Sequence, residues 1–506
     1  MASDKKSKIP NDFLIGTASS AYQIEGAWRA DGKTPSIWDD YFHGKNCKVT
    51  NPTIAKSAPQ QKYTQFYRGT DFEPLDESCN LSMISGDIAC DSYNKLDEDI
   101  KNLVELGVNT YRFSISWPRV LPYADDRKEN QPGIDYYKSL IKKLIENKIT
   151  PVVTMYHWDM PSILQNIGGW SNPHIVEYFV NYADFLFRTF GKDVKYWITI
   201  NEPRFVANAY GDDTMAPIVG TVFNGFAEYM AIRNLLLAHA AVYKLYKDNY
   251  ESTQKGMISL CFDTAAYYPK RPDVKADEDC ISKAFDYMLG IFTEPLKNGK
   301  FPDSVLKSIA DTSTRENITI KRIFEFSEKE KEDLIGSYDF IAFNYYHSFK
   351  VRPMTQTEYE KETYLLNKDL AVVSTSNSSN MEDTFKGFTQ VVDWLVEKLD
   401  NPKLFVAENG IYEKQNVDES EKKIEYHRGI LTELDKALKK GVVIKGYCVW
   451  SFMDSLEWSS GYFSKLFGIY SVDFNDPQRP RSKKPSFEFF QTLFKTKSLT
   501  PIESDE

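Results

Sequence analysis

The sequence predicts an α/β fold, a single closed (β/α)8 TIM barrel with long βα loops, and three observations predict it. Short apolar or β-branched runs recur along the chain, turn residues bound them, and amphipathic helical patterns fill the gaps between them. The runs number eight, which is what closes such a barrel. A length of 506 residues would allow about three domains at roughly 150 residues each, yet the chain shows no internal repeat and only one marked shift in composition.

In order, the expected strands are Phe13–Ser19, Thr110–Ser116, Thr150–His157, Tyr196–Glu202, Gly256–Phe262, Phe340–Tyr346, Leu404–Glu408 and Ile444–Ser451. Asp97–Leu106 and Ile134–Ile145 carry the apolar spacing of helices packed on one face. The barrel is expected over residues 13–495, after an N-terminal extension of residues 1–12 and before a polar tail of residues 496–506. Residues 43–85, rich in Lys, Gln, Asn, Ser and Thr, read as a long loop insertion.

Composition narrows the function. The hydrophobic fraction of 42% supports a large core, and a net charge of −10 has the wrong sign for a phosphate-backbone binder, so nucleic acid is not an expected partner. No stretch of 18 uncharged apolar residues suggests a membrane span. Aromatic residues make up 14% of the chain, and Tyr and Trp offer flat faces with a polar edge that suit sugar rings, although a large aromatic core explains the same number. The six Cys and six His show no CxxC, HExxH or other metal spacing, so no metal site is expected.

The N-terminus lacks the apolar run of a signal peptide. Asn80, Asn317 and Asn377 each begin a glycan acceptor triplet, which favours a secreted or lumenal protein with its signal removed over a cytoplasmic one.

Barrel chemistry sits at the C-terminal ends of the strands. Run four ends in Thr199-Ile200-Asn201-Glu202-Pro203 and run seven in Phe405-Val406-Ala407-Glu408-Asn409-Gly410, placing two carboxylates at one rim. A lone Glu at a strand end is most often a solvated rim residue. Two facing each other are what glycosidic cleavage requires, one to protonate the leaving oxygen and one to attack the anomeric carbon or activate water. Their neighbours add to this: Gln23-Ile24-Glu25-Gly26, Tyr111-Arg112-Phe113-Ser114, His157-Trp158-Asp159, Asn344-Tyr345-Tyr346 and Trp450 through Glu457-Trp458 supply hydrogen-bonding and stacking groups around the rim.

With these motifs the chain resembles glycoside hydrolase family 1, the family of β-glucosidases, lactases and myrosinases, from Phe13 to about Phe490. The resemblance implies retention of anomeric configuration, Glu202 as acid/base, Glu408 as nucleophile, and no cofactor. It implies sugar-binding roles for Gln23, His157, Asn201, Tyr346, Trp450, Glu457 and Trp458, with Arg112 and Tyr346 holding Glu408 ionised. Trp158 is left as core. The expected substrate is a small unphosphorylated β-glucoside, because Glu457-Trp458 stands where the 6-phosphoglycosidase branch places smaller and basic residues. Glu202 stands where plant-type myrosinases carry Gln. Thioglucosidase activity is the alternative, encouraged by Arg204 beside the acid/base, and a sugar-binding member without catalysis is disfavoured because both carboxylates are kept.

Three departures concern the mouth. The segment Ala209–Ile218 lacks three glycines of the family pattern, the approach to Phe467 is one residue longer than usual, and the 43–85 insertion is long. Cys47 and Cys79 bracket most of that insertion, and in a secreted protein they are expected to form a disulfide closing it.

Overall fold

The computed structural model describes residues 10, 12–43, 85–212, 214–217, 219–376 and 380–498. All eight expected strands form: β1 (Leu14–Ala18), β2 (Thr110–Ser114), β3 (Thr150–Tyr156), β4 (Tyr196–Asn201), β5 (Met257–Pro269), β6 (Ile341–Pro353), β8 (Leu404–Asn409) and β9 (Ile444–Trp450). They pair in that order, and β9 pairs back to β1, so the ring closes with every neighbour parallel. Parallel neighbours need a crossover, and helices supply it.

Those helices follow the strands in turn. They are α1 (Leu96–Leu106), α2 (Gln131–Glu146), α3 (Ile175–Phe190), α4 (Ala227–Asn249), α5 (Lys275–Phe285), α6 (Met381–Lys398), α7 (Ser420–Lys439) and α8 (Phe487–Thr496). Their sequences explain their orientation. In α2, Ile134, Tyr137, Leu140, Ile141 and Leu144 recur at three- and four-residue intervals and are all buried, forming one apolar stripe against the ring. Gly107 ends α1 in the left-handed region at φ 82°, where its N–H reaches the carbonyls of Leu103 and Val104.

Two cores result. The layer between strands and helices holds most of the buried aromatic and aliphatic side chains. A smaller cluster including Leu14, Val152, Ile198, Phe340, Phe405, Ala407 and Trp450 fills the ring itself, so the barrel is packed rather than open.

The sequence placed the ends of β5 and β6 at Phe262 and Tyr346, whereas both strands run on to Pro269 and Pro353. Polar residues that read as strand ends are carried onward because they find partners. Thr264 Oγ1 donates to the Asn344 carbonyl at 2.6 Å, and pairing continues from Ala266 with Ser348 to Pro269 with Val351. A further strand, β7 (Val372–Ser376), pairs antiparallel with the outer half of β6, and β10 (Tyr470–Val472) pairs with β11 (Arg481–Lys483); none of these three was expected.

Among the described residues, Cys90, Cys261, Cys280 and Cys448 are buried free thiols. Cys47, Cys79, Asn80 and Asn377 lie outside the described residues, as does nearly all of the 43–85 insertion. Asn317 is exposed just beyond a helix end. No helix among the described residues is long and apolar enough to cross a membrane.

Candidate active site

Glu202 follows β4 at the start of the short helix Pro203–Asn208, with its backbone in the left-handed region at φ 48°. Its N–H donates to the Cys261 carbonyl on β5 at 2.7 Å, and Pro203 supplies a φ already suited to the first helical position. The chain therefore turns sharply at the carboxylate and leaves the rim. Glu408 lies within β8, in register with Asn344 on β6. Two residues later, a Cβ on Gly410 would stand 2.1 Å from the Trp450 carbonyl, so glycine lets the end of β8 close on β9.

A continuous chain of hydrogen bonds links the two carboxylates. The fully buried Arg112 donates through Nη1 to Glu408 Oε1 and through Nη2 to Asn201 Oδ1 at 2.7 Å. Asn344 Nδ2 reaches Asn201 Oδ1 at 3.2 Å and donates to Glu202 Oε1 at 2.8 Å. Tyr346 donates to Glu408 Oε2 at 2.6 Å. Four strands, β2, β4, β6 and β8, thus contribute to one wired unit.

The electrostatics favour the protonated form of Glu202. Burial pushes Glu202 well above the usual carboxylate range, the charges of Glu408 and Asp263 push it further, and the Asn344 hydrogen bond and Arg204 oppose them. Burial also holds His157 far below the ordinary imidazole value, with Arg112 adding to the effect, so the ring is neutral. His157 Nε2 lies 3.1 Å from Asn201 Nδ2 and serves as the acceptor of that bond. Glu457 is raised to about 8, chiefly by burial and against the pull of Lys465, and Trp450 Nε1 donates to it at 3.4 Å.

A cavity of ≈ 330 Å³ opens at this rim, lined by Glu202, Glu408, Asn201, His157, Tyr346, Trp450, Glu457 and Trp458 among others. The sequence-derived site residues therefore converge, with one difference. Gln23 is fully buried and not part of the lining; its Nε2 donates to the Leu456 carbonyl at 2.7 Å and its Oε1 accepts from Ser20 at 2.6 Å, so it braces the segment leading to Glu457.

Some lining residues were missed. Trp158, left as core, faces the cavity, donates from Nε1 to the Asn201 carbonyl at 2.9 Å and packs on Trp458 with ring centroids 4.5 Å apart. Phe467 also lines it despite the longer approach, flanked by Tyr346 and Tyr412. Asp263 directly follows the expected end of run five, so the strand-end rule that selected the two Glu would have selected it too. Thr214 and Met215 bring the glycine-poor segment into the wall. Arg204, considered as a contact for an anionic aglycone, is buried and bound to Asp263, with Nε 2.7 Å from Oδ2 and Nη2 on the same oxygen.

Comparison with known proteins agrees with this geometry. The model of glycosyl hydrolase family 1 matches residues 5–499. Human lactase/phlorizin hydrolase is 37% identical over 96% of this chain, although the match spans only 24% of that protein's length. Among solved structures, an aphid myrosinase superposes with a TM-score of 0.83 at 34% identity, covering 98% of this chain and all of the other. A rice Os3BGlu6 β-glucosidase mutant in a covalent complex with Glc superposes with a TM-score of 0.80 at 30% identity, covering 96% of this chain and 98% of the other.

Proposed function

The chain belongs to glycosyl hydrolase family 1, and from that membership we propose that it hydrolyses small unphosphorylated β-glucosides with retention of configuration, through a covalent glycosyl-enzyme. The observation that carries this reading is the pair Glu202 and Glu408 in one cavity, joined through Arg112, Asn201 and Asn344.

Glu408 attacks the anomeric carbon while Glu202 gives its proton to the departing oxygen, so the glycosidic bond breaks as the ester forms. Arg112 and Tyr346 occupy both oxygens of Glu408 and fix the carboxylate plane. Glu202 keeps its proton because it is buried beside an anion. Once Glu408 is esterified that anion is gone, the proton affinity of Glu202 falls, and Glu202 takes a proton from water as the water opens the ester. Neutral His157, Asn201, Glu457 and Trp450 bind the sugar hydroxyls and face, and Trp158 and Trp458 form the adjoining wall. We place this domain at residues 13–495, with residues 1–12 and 496–506 as extensions.

Hydrolysis of a chromogenic aryl β-glucoside tests the reading. Turnover that disappears in Glu408→Gly supports it, and a folded wild type without turnover would leave a sugar-binding protein instead. Similarity to an aphid myrosinase makes S-glucosides the second substrate class for the same assay.

A further inference from the structure

We propose that the buried Arg204–Asp263 ion pair is a positioning pair for Glu202, in which Asp263 on β5 keeps the proton on the acid/base and Arg204 limits that hold. The inference rests on Glu202 being the acid/base.

The geometry leads to it from three sides. Asp263 lies two residues beyond Cys261, whose carbonyl receives the Glu202 N–H at 2.7 Å, and Asp263 lines the same cavity as Glu202. Arg204 lies two residues beyond Glu202 on the helix that starts there. Its guanidinium binds Asp263 Oδ2 through two nitrogens and packs over the Phe205 ring at 4.7 Å. Exposures of 5% for Arg204 and 4% for Asp263 leave little water to screen either charge.

The groups around Glu202 are Glu408 from β8, Asp263 and the Cys261 thiol from β5, Asn344 and the Tyr346 phenol from β6, and Arg204 from its own helix. Both anions favour its protonated form, with Glu408 the stronger, while Asn344 and Arg204 favour the ionised form. Only one of these changes during turnover. When Glu408 becomes an ester, Asp263 is the anion that remains beside Glu202, and it keeps the carboxylate basic enough to accept a proton from water. A neutral residue at position 263 would leave Arg204 unbalanced and make Glu202 a weaker base in that second step.

The test is the pH dependence of kcat/KM for an aryl β-glucoside, whose basic limb reports the acid in the free enzyme. Asp263→Asn is expected to move that limb down by about 1 pH unit or more. Arg204→Met strips Asp263 of the cation that opposes its burial, so Asp263 takes up a proton. The limb should then coincide with that of the double variant, which carries neither charge and should fall between wild type and Asp263→Asn. A limb unmoved in Asp263→Asn, or a double variant no higher than that single one, would overturn the proposal. Should Asp263→Asn fail to fold, Arg204→Met and the double variant decide: limbs that lie together below wild type support the pair's role, and limbs that do not move contradict it. Glu202→Gln separates the two levels. If it leaves the basic limb intact, the acid/base assignment fails; if it removes the limb while Asp263→Asn does not move it, only this proposal fails.

Discussion

The Tyr346 phenol donates to Glu408 Oε2 across 2.6 Å from β6, the strand paired with the one that carries Glu408. With Arg112 on Oε1, each carboxylate oxygen has a protein donor. Hydrogen bonds to charged groups contribute about 1.5–3 kcal/mol, so Tyr346→Phe should lower kcat/KM for an aryl glucoside by roughly 10- to 150-fold. Steady-state kinetics check this, and a variant within about twofold of wild type would remove Tyr346 from the machinery.

The division of labour between the carboxylates predicts two stereochemical outcomes. Glu408→Gly leaves space for azide to attack in place of the missing nucleophile, giving an α-glycosyl azide. Glu202→Ala still forms the glycosyl-enzyme from substrates with good leaving groups, and azide then opens it to the β-azide. Proton NMR of the two products distinguishes them, and interchanged anomers would reverse the roles.

Much of this site was legible because each catalytic group closes or follows a strand. Glu202 and Glu408 stand at the ends of apolar runs, and an apolar run that stops on a carboxylate is visible in the sequence alone. Asp263 was within reach of the same rule, since it directly follows the expected run Gly256–Phe262, and it was passed over. The continuation of β5 beyond it was not legible, because β5 runs on beside β6 and such pairing between distant segments leaves no local mark. Trp158 is both a core residue, as read, and part of the cavity lining, a double position that a sequence does not display. Gln23 was read as a sugar ligand; its amide meets Ser20 and Leu456, and the second Nε2 hydrogen and second Oε1 lone pair stay open to a sugar hydroxyl. The β7 strand was missed because its partner is the outer half of β6, which lies beyond the expected end of that run at Tyr346.

Glu457 sits at the rim beside Trp450 and should accept hydrogen bonds from the sugar hydroxyls farthest from the anomeric carbon. Loss of those bonds in Glu457→Ala should cost roughly 1.5–3 kcal/mol of transition-state binding. Comparing kcat/KM for a glucoside and its 6-phosphate in the wild type above about pH 8, where Glu457 is ionised, checks the charge argument, since a carboxylate there repels a phosphate. Preference for the phosphorylated sugar would contradict it.

Asp159, next to Trp158, is raised from 3.8 to about 8, with burial outweighing Ser116 and Lys33. The folded state therefore holds this proton more tightly than the unfolded chain does. That contribution to stability is complete below pH 3.8 and is lost as pH climbs through about 8. Thermal unfolding from about pH 6 to about pH 9 should show Tm falling in the wild type and falling less in Asp159→Asn. Parallel curves would show that Asp159 is not the group responsible.

The anomeric configuration of the first sugar released tests the central claim most directly. Two displacements, one by Glu408 and one by water, invert twice and should deliver the β-anomer first from a β-glucoside, with the α-anomer appearing only by slow mutarotation. Proton NMR recorded in the first minutes of hydrolysis reads it. The β-anomer appearing first is the result expected from a nucleophilic Glu408, and the α-anomer appearing first would contradict the covalent glycosyl-enzyme.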